Sequence, residues 1–217
     1  MLAISKTFAL YQQNLNNDPT LPKKQKDILQ ASLKLFAAKG FHDTSTADIA
    51  QAAGVAEGTV YKRFKTKDAL LSAVLSPLTS TVLAETVAEF SETTLAKEYT
   101  TLHAFISDVV TNRLAFVNDN LATIKILVGE AIYNTSIRNQ IVSAMQAVLT
   151  NQYAHSVKAL QQKNLIADWP INQIFQYTIS SIGGYLVKQI TFPKQVNSPE
   201  EEAPQVIHFL EKGLAPE

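Results

Sequence analysis

Between Lys24 and Leu71 the apolar residues fall into short helical stripes punctuated by glycines, and that pattern leaves few folds open. Ile28, Leu29, Leu33, Phe36 and Ala37 make one stripe over 24–39, and Gly40 closes it. Ala47, Ile49, Ala50 and Ala53 make a second over 46–53, ended by Gly54, where a left-handed residue turns the chain sharply. Val60 and Phe64 face inward from a third short helix over 57–64. A fourth begins at Lys67, with Leu70, Leu71, Val74, Leu75 and Leu78 to bury and Pro77 placed to kink it.

The remainder carries the same helical period. Further helices are expected over 98–117, 120–134, 136–163, 170–190 and 199–213, with stops at Asn118–Asp119, Asn134, Asn164, Trp169–Pro170, Phe192–Pro193 and Pro199. No segment alternates with period two between hairpin turns, so the expected fold class is all-α. Seven glycines and eight prolines in 217 residues agree with that. Ahead of the first stripe, Ile4, Phe8, Tyr11 and Leu15 fall at helical spacing, and residues 16–22, NNDPTLP, read as a linker. This arm is either a packed extra helix or a frayed terminus. The expected domains are an arm and linker over 1–22, a helix-turn-helix domain over 23–69 and a helical domain over 70–217.

Cysteine is absent, which excludes disulfides, thiolate zinc sites, iron–sulfur clusters and cysteine nucleophiles. No uninterrupted apolar stretch reaches the roughly 18 residues of a membrane span. Lys6 interrupts the apolar N-terminus, which then turns polar, unlike a signal peptide. The expectation is a cytoplasmic protein with no membrane partner. Enzyme motifs for zinc proteases, serine hydrolases, phosphate loops and dinucleotide folds are missing, so no catalytic residue, metal or cofactor is expected.

The net charge of zero hides an asymmetry. Residues 1–70 hold ten Lys/Arg against six Asp/Glu, whereas the rest holds nine against thirteen. Such a split hints at a nucleic-acid-facing part joined to something else. Two short helices around a glycine turn match the helix-turn-helix, whose second helix enters the major groove. Small Ala50, Ala53 and Gly54 let the helices approach closely, and Gly58 and Thr59 keep the reading helix slim. Tyr61, Lys62 and Lys67 are placed to reach phosphates, and Thr44 and Ser45 to donate hydroxyls, contacts that fix register without reading sequence. Thr46 either joins them or simply begins its helix. Lys23, Lys24 and Lys26 make a basic run that is either solvated or backbone-facing.

At Gly40-Phe41, Thr44-Ser45, Ile49-Ala50, Ala53-Gly54-Val55, Gly58, Tyr61, Phe64 and Lys67, in this order and spacing, the chain resembles the TetR family of transcriptional regulators. The resemblance covers about residues 24–71, a fifth of the chain. One departure is Ala56, where the family usually carries a hydroxyl that caps the reading helix, a loss of ~1 kcal/mol. Glu57 beside it either interacts with the helix N-terminus or accepts from cytosine N4 in the groove.

The resemblance implies a ligand-responsive regulator, most often a repressor, bound to a double-stranded operator as a homodimer. Its half-sites would lie about 34–36 Å apart. Dimerisation would use the last two long helices, with Ile174, Tyr177, Thr178, Ser181, Ile182, Gly184 and Tyr185 on a face that could equally be internal core. An unidentified small molecule would bind among the middle helices, with Phe105, Val109, Phe116, Glu130, Tyr133, Tyr153 and Phe175 as candidate lining; Phe90, Ile124 and Leu127 are further apolar candidates. Glu130 sits in the apolar run ILVGEAIY, where a carboxylate needs a partner such as Arg138 or Lys125, or a cationic ligand. His103 and His155 are isolated. The alternative to a regulator is a helical interaction module with degenerate DNA binding.

Overall fold

The computed structural model describes residues 6–150 and 152–216; Ile4 lies outside them. Twelve α-helices and no strand occur among the described residues: α1 Lys6–Asn17, α2 Lys23–Lys39, α3 Thr46–Ala53, α4 Glu57–Arg63, α5 Lys67–Pro77, α6 Leu83–Phe90, α7 Leu102–Asp119, α8 Leu121–Tyr133, α9 Thr135–Thr150, α10 Gln152–Gln162, α11 Ile171–Thr191 and α12 Pro199–Leu214. Local chemistry sets many of the boundaries. Thr66 and Thr101 start α5 and α7 by accepting from Ala69 N and Ala104 N at 3.0 and 3.1 Å. The threonine cap is why α7 begins later than the expected 98. Ser198 and Glu201 form a reciprocal capping box at α12.

The fourth expected helix runs further than its sequence stripe indicated. From Lys67 the chain stays helical to Leu95, with widened π-type turns at Leu78–Val82 and Ser91–Leu95. In the first, Leu83 N–H donates to Leu78 O, five residues back; in the second, Ala96 N–H reaches Ser91 O at 2.8 Å. Pro77, which lacks an N–H, sits just before the first widened turn. By length and composition this run could span a bilayer, contrary to the sequence expectation. Its apolar residues Leu70, Leu71, Val74, Leu75, Leu78 and Val82 are instead buried in a protein core. Over the span 136–163 the described residues are helical on both sides of position 151, as α9 and α10.

The chain divides into two compact units. The first reaches to Glu85 and includes Ala122–Ile141; the second comprises Thr86–Leu121 and the chain from Val142 onward. The first unit therefore takes in more than the expected 23–69. Its core joins Ile28, Leu33 and Phe36 of α2, Ile49 of α3, Val60 of α4 and Leu70 and Val74 of α5 to Ile126 of α8 and Ile137 of α9. The N-terminal arm is a packed helix: Tyr11 and Leu15 are buried, and α1 lies against α2, α5 and the Leu78–Val82 turn. Burying such side chains is worth roughly 1.5–3 kcal/mol each, which favours docking over fraying.

In the second unit α7 packs on α12, α11 and the Ser91–Leu95 turn, while α10 packs on that turn and α11. A chain of aromatic contacts runs through it, Tyr99 to Phe105 to Tyr153 to Phe175, with ring centres 5.2, 5.8 and 5.1 Å apart. Two of these contacts are edge-on and one tilted, as ring quadrupoles prefer.

Candidate nucleic-acid interface

The reading face is built on the short helices α3 and α4. Ser45 caps α3 by accepting from Asp48 N at 3.0 Å, and the Asp48 carboxylate accepts from Ser45 N at 3.1 Å. The hydrogen bonds from the Ser45 backbone and hydroxyl hold the Asp48 carboxyl below its ordinary pKa, with Lys39 adding attraction. The Ser45 hydroxyl therefore accepts from Asp48 N and is itself turned to the Asp48 carboxylate. Gly54 ends α3 at φ 66°, ψ 35°, and Val55 N reaches back to Ala50 O at 3.0 Å. That left-handed residue sets the crossing of α3 and α4. Ala56 starts α4 without a side-chain cap, and Thr59 N donates instead to Ala56 O at 2.8 Å. The missing hydroxyl has not prevented the helix.

Across the turn, Thr46 Oγ1 donates to Glu57 Oε1 at 2.7 Å and lies 3.0 Å from Tyr61 Oη. A threonine hydroxyl has one hydrogen, so Tyr61 is the donor in the second bond. Thr46 thus ties the start of α3 to both Glu57 and Tyr61. Glu57 and Tyr61 are exposed and Thr46 partly so. Ala56, Gly58 and Lys62 are also exposed, Thr59 partly, which puts the expected reading helix at the surface. Arg63 and Lys65, exposed beside Lys62, add two cations that the residue-by-residue reading missed. The run KRFKTK carried that signal.

Two expected contacts need correcting. Thr44 is 1% exposed and its hydroxyl donates to Gly40 O at 2.7 Å, so it is not offered to a phosphate. Lys67 is occupied within the domain: its Nζ donates to His42 O at 3.2 Å and sits 4.5 Å from the centre of the Phe41 ring. It staples the 40–44 loop to α5, a contact worth about 0.5–2 kcal/mol in cation–π terms. Phe41 also packs edge-on against Phe36, so the loop is anchored at two points.

The candidate ligand residues do not form one group. Phe105, Val109, Tyr153 and Phe175 come together in the second unit, with Tyr153 donating to Thr178 Oγ1 at 3.1 Å and its phenol pushed up to about 12 by burial. Phe116 stands on the same side of α7. Glu130 and Tyr133 belong to the first unit with Ile124 and Leu127, and Tyr133 is 87% exposed. The apolar run of α8 does not itself say which side faces inward. Arg138 donates to Ala131 O and Thr135 Oγ1, in place of the expected pair with Glu130. Burial raises the Glu130 carboxyl above its ordinary range, His42 opposing and Asp68 adding. His103 pairs with Glu211 at 2.6 Å.

The face expected to be shared between protomers is split as well. Ile174, Thr178, Ile182 and Tyr185 are buried within their own unit, while Tyr177, Gly184 and Val187 lie along the exposed side of α11. Phe209 of α12 is 67% exposed and Val187 58%.

An all-helical chain with a two-helix reading head at its N-terminal end is the class this geometry defines. Residues 28–74 match the model of the bacterial regulatory proteins of the tetR family. That match covers 47 of the 217 residues, so it is the N-terminal head that is similar to this family. The chain is 31% identical over 75 residues to the fatty acid metabolism regulator protein of Bacillus subtilis, 35% of this chain and 39% of that protein. It is 36% identical over 58 residues to the transcriptional repressor KstR2 of Mycolicibacterium smegmatis, 26% and 28% of the two chains. These alignments span less than half of each relative's length. The fold likeness is broader. A structure of FadR from Bacillus subtilis in complex with stearoyl-CoA matches 86% of this chain and 97% of its own, with TM-score 0.61 and 17% identity. A regulator structure from Saccharomonospora viridis in complex with choline matches 87% and 96%, with TM-score 0.68 and 18% identity.

Proposed function

We propose that this chain is a ligand-responsive transcriptional repressor that binds an inverted-repeat operator as a homodimer and leaves it when a small molecule binds. The observation that carries this reading is the reading head. Tyr61, Lys62 and Arg63 lie exposed on α4 with Lys65 exposed just beyond it, and Ser45 stands exposed at the start of α3. Such groups bind phosphates and set register, while Glu57 and its Thr46 tether face the bases.

Homodimerisation is supported by the Tyr177, Gly184 and Val187 stripe on α11 and by Phe209 on α12, an apolar surface that a free monomer would leave in water. Coupling would run along the helical stretch Lys67–Leu95, which leaves the reading head and enters the second unit. A ligand that prefers one arrangement of that stretch shifts the population away from the DNA-competent state. The ligands named in the two solved neighbours carry opposite charge, so the shared fold sets no ligand class.

The test is the mass of the purified protein alone and with a duplex it selects. Two chains alone, and two or a small multiple per duplex, support the reading. A monomer, or a chain that binds no duplex, contradicts it.

A further inference from the structure

On α7, Phe105, Val109, Arg113 and Phe116 fall four, four and three residues apart, along one side of the helix. Three of them are apolar, and the fourth carries a charge that is not lost at physiological pH. Phe105 and Val109 are buried; Arg113 and Phe116 are partly so. The guanidinium carbon lies 3.8 Å from the centre of the Phe90 ring and 4.7 Å from that of Phe116. Among the described residues its hydrogen bonds go to one neutral oxygen: Nε donates to Asn112 Oδ1 at 2.9 Å, and Nη2 donates to the same atom.

A guanidinium has five N–H donors, and its planar fork matches a carboxylate or phosphate. Burial pulls the Arg113 pKa down to about 10, and the attraction of exposed Glu89 does not cancel that effect. Stacking on two rings recovers part of the desolvation cost without supplying a countercharge at the fork. Beyond it, the same side of α7 continues into Val109, Phe105 and the rings of Tyr153 and Phe175.

We propose that Arg113, walled by Phe90 and Phe116, is the anion-recognising residue of the effector site in the second unit, and that the effector is an amphiphile with a carboxylate or phosphate head and an apolar body. This rests on the ligand-responsive reading above and gives it a ligand class. An ammonium-headed molecule is disfavoured by the same charge.

The experiment titrates the full chain with decanoate, decyl phosphate, decanol and decyltrimethylammonium, reading heat of binding and shift in melting temperature. One or both anions should bind at least about tenfold tighter than decanol, as a charge-assisted bidentate pair requires, and the better anion distinguishes a carboxylate from a phosphate head. Arg113→Met should bring that anion down to the affinity of decanol, while Arg113→Lys, with charge but no fork, should fall between. Equal binding of anion and alcohol by the native chain, no binding of either anion, or unchanged anion binding by Arg113→Met overturns the assignment. The native-chain comparison stands even if Arg113→Met does not fold. DNA binding is scored separately. A chain that binds an operator but shows no preference for anions defeats this inference alone; one that takes decanoate through Arg113 but binds no DNA defeats the regulator reading alone.

Discussion

Replacing Lys62 with alanine separates contacts made to DNA from those that hold the domain together. Lys62 is exposed in the last turn of α4, so Lys62→Ala should change stability by no more than about 0.5 kcal/mol. On DNA, each phosphate neutralised by a cation contributes about 0.9 to the slope of log affinity against log salt. Losing one contact per reading head therefore makes the slope shallower by about 0.9 per head. Between about 50 and 200 mM salt, the native-to-variant affinity ratio should shrink about 3.5-fold per head, or about 12-fold for two heads. The loss should be alike on all duplexes, because a phosphate contact carries no base information. Lys67→Ala is the control. Its Nζ is held by His42 O and the Phe41 ring, so it should lower the melting temperature while changing the slope less. Fluorescence anisotropy on a labelled duplex at several salt concentrations measures both. An unchanged slope for Lys62→Ala, with normal stability, refutes the phosphate role.

Three further outcomes are expected. Tyr11 is fully buried and its hydroxyl has no hydrogen-bond partner among the described residues, so Tyr11→Phe should leave stability unchanged or raise it by up to about 1 kcal/mol. A clear loss in urea titration would show that the hydroxyl is satisfied. Glu130 has a folded-state pKa raised by burial, so it supports the fold while protonated and loses that support as pH rises through the folded value. Glu130→Gln should therefore match the native chain near about pH 3.5 and exceed its stability near about pH 8, by urea midpoints at the two values. Val187→Asp combined with Phe209→Asp should shift the molar mass in light scattering from dimer to monomer while helical circular dichroism is retained; an unmoved mass would place the interface elsewhere.

The reading head was legible because it is local. Its glycines, alanines and apolar stripes decide where each short helix stops and what it buries, all within about fifty residues. What escaped was set by contacts across the fold. Thr44 resembles a phosphate donor in sequence, yet its hydroxyl turns back to Gly40 O. Lys67 meets a carbonyl 25 residues away, and Thr46 reaches partners 11 and 15 residues on. In α8 the run ILVGEAIY is apolar on nearly every side, so periodicity cannot choose the inward face, and Tyr133 lies on the exposed side. The α7 spacing of Phe105, Val109, Arg113 and Phe116 was readable, but only the packing shows Arg113 between two rings.

Selection of bound sequences from a random double-stranded DNA pool at moderate salt tests the central claim most directly, with the purified full chain as bait. The account predicts enrichment of an inverted repeat whose half-sites are spaced by about one helical turn, lost when Tyr61 and Lys62 are both replaced by alanine. Recovery of no enriched motif, with only weak and salt-sensitive binding, would contradict a sequence-specific regulator and make the chain a helical interaction module.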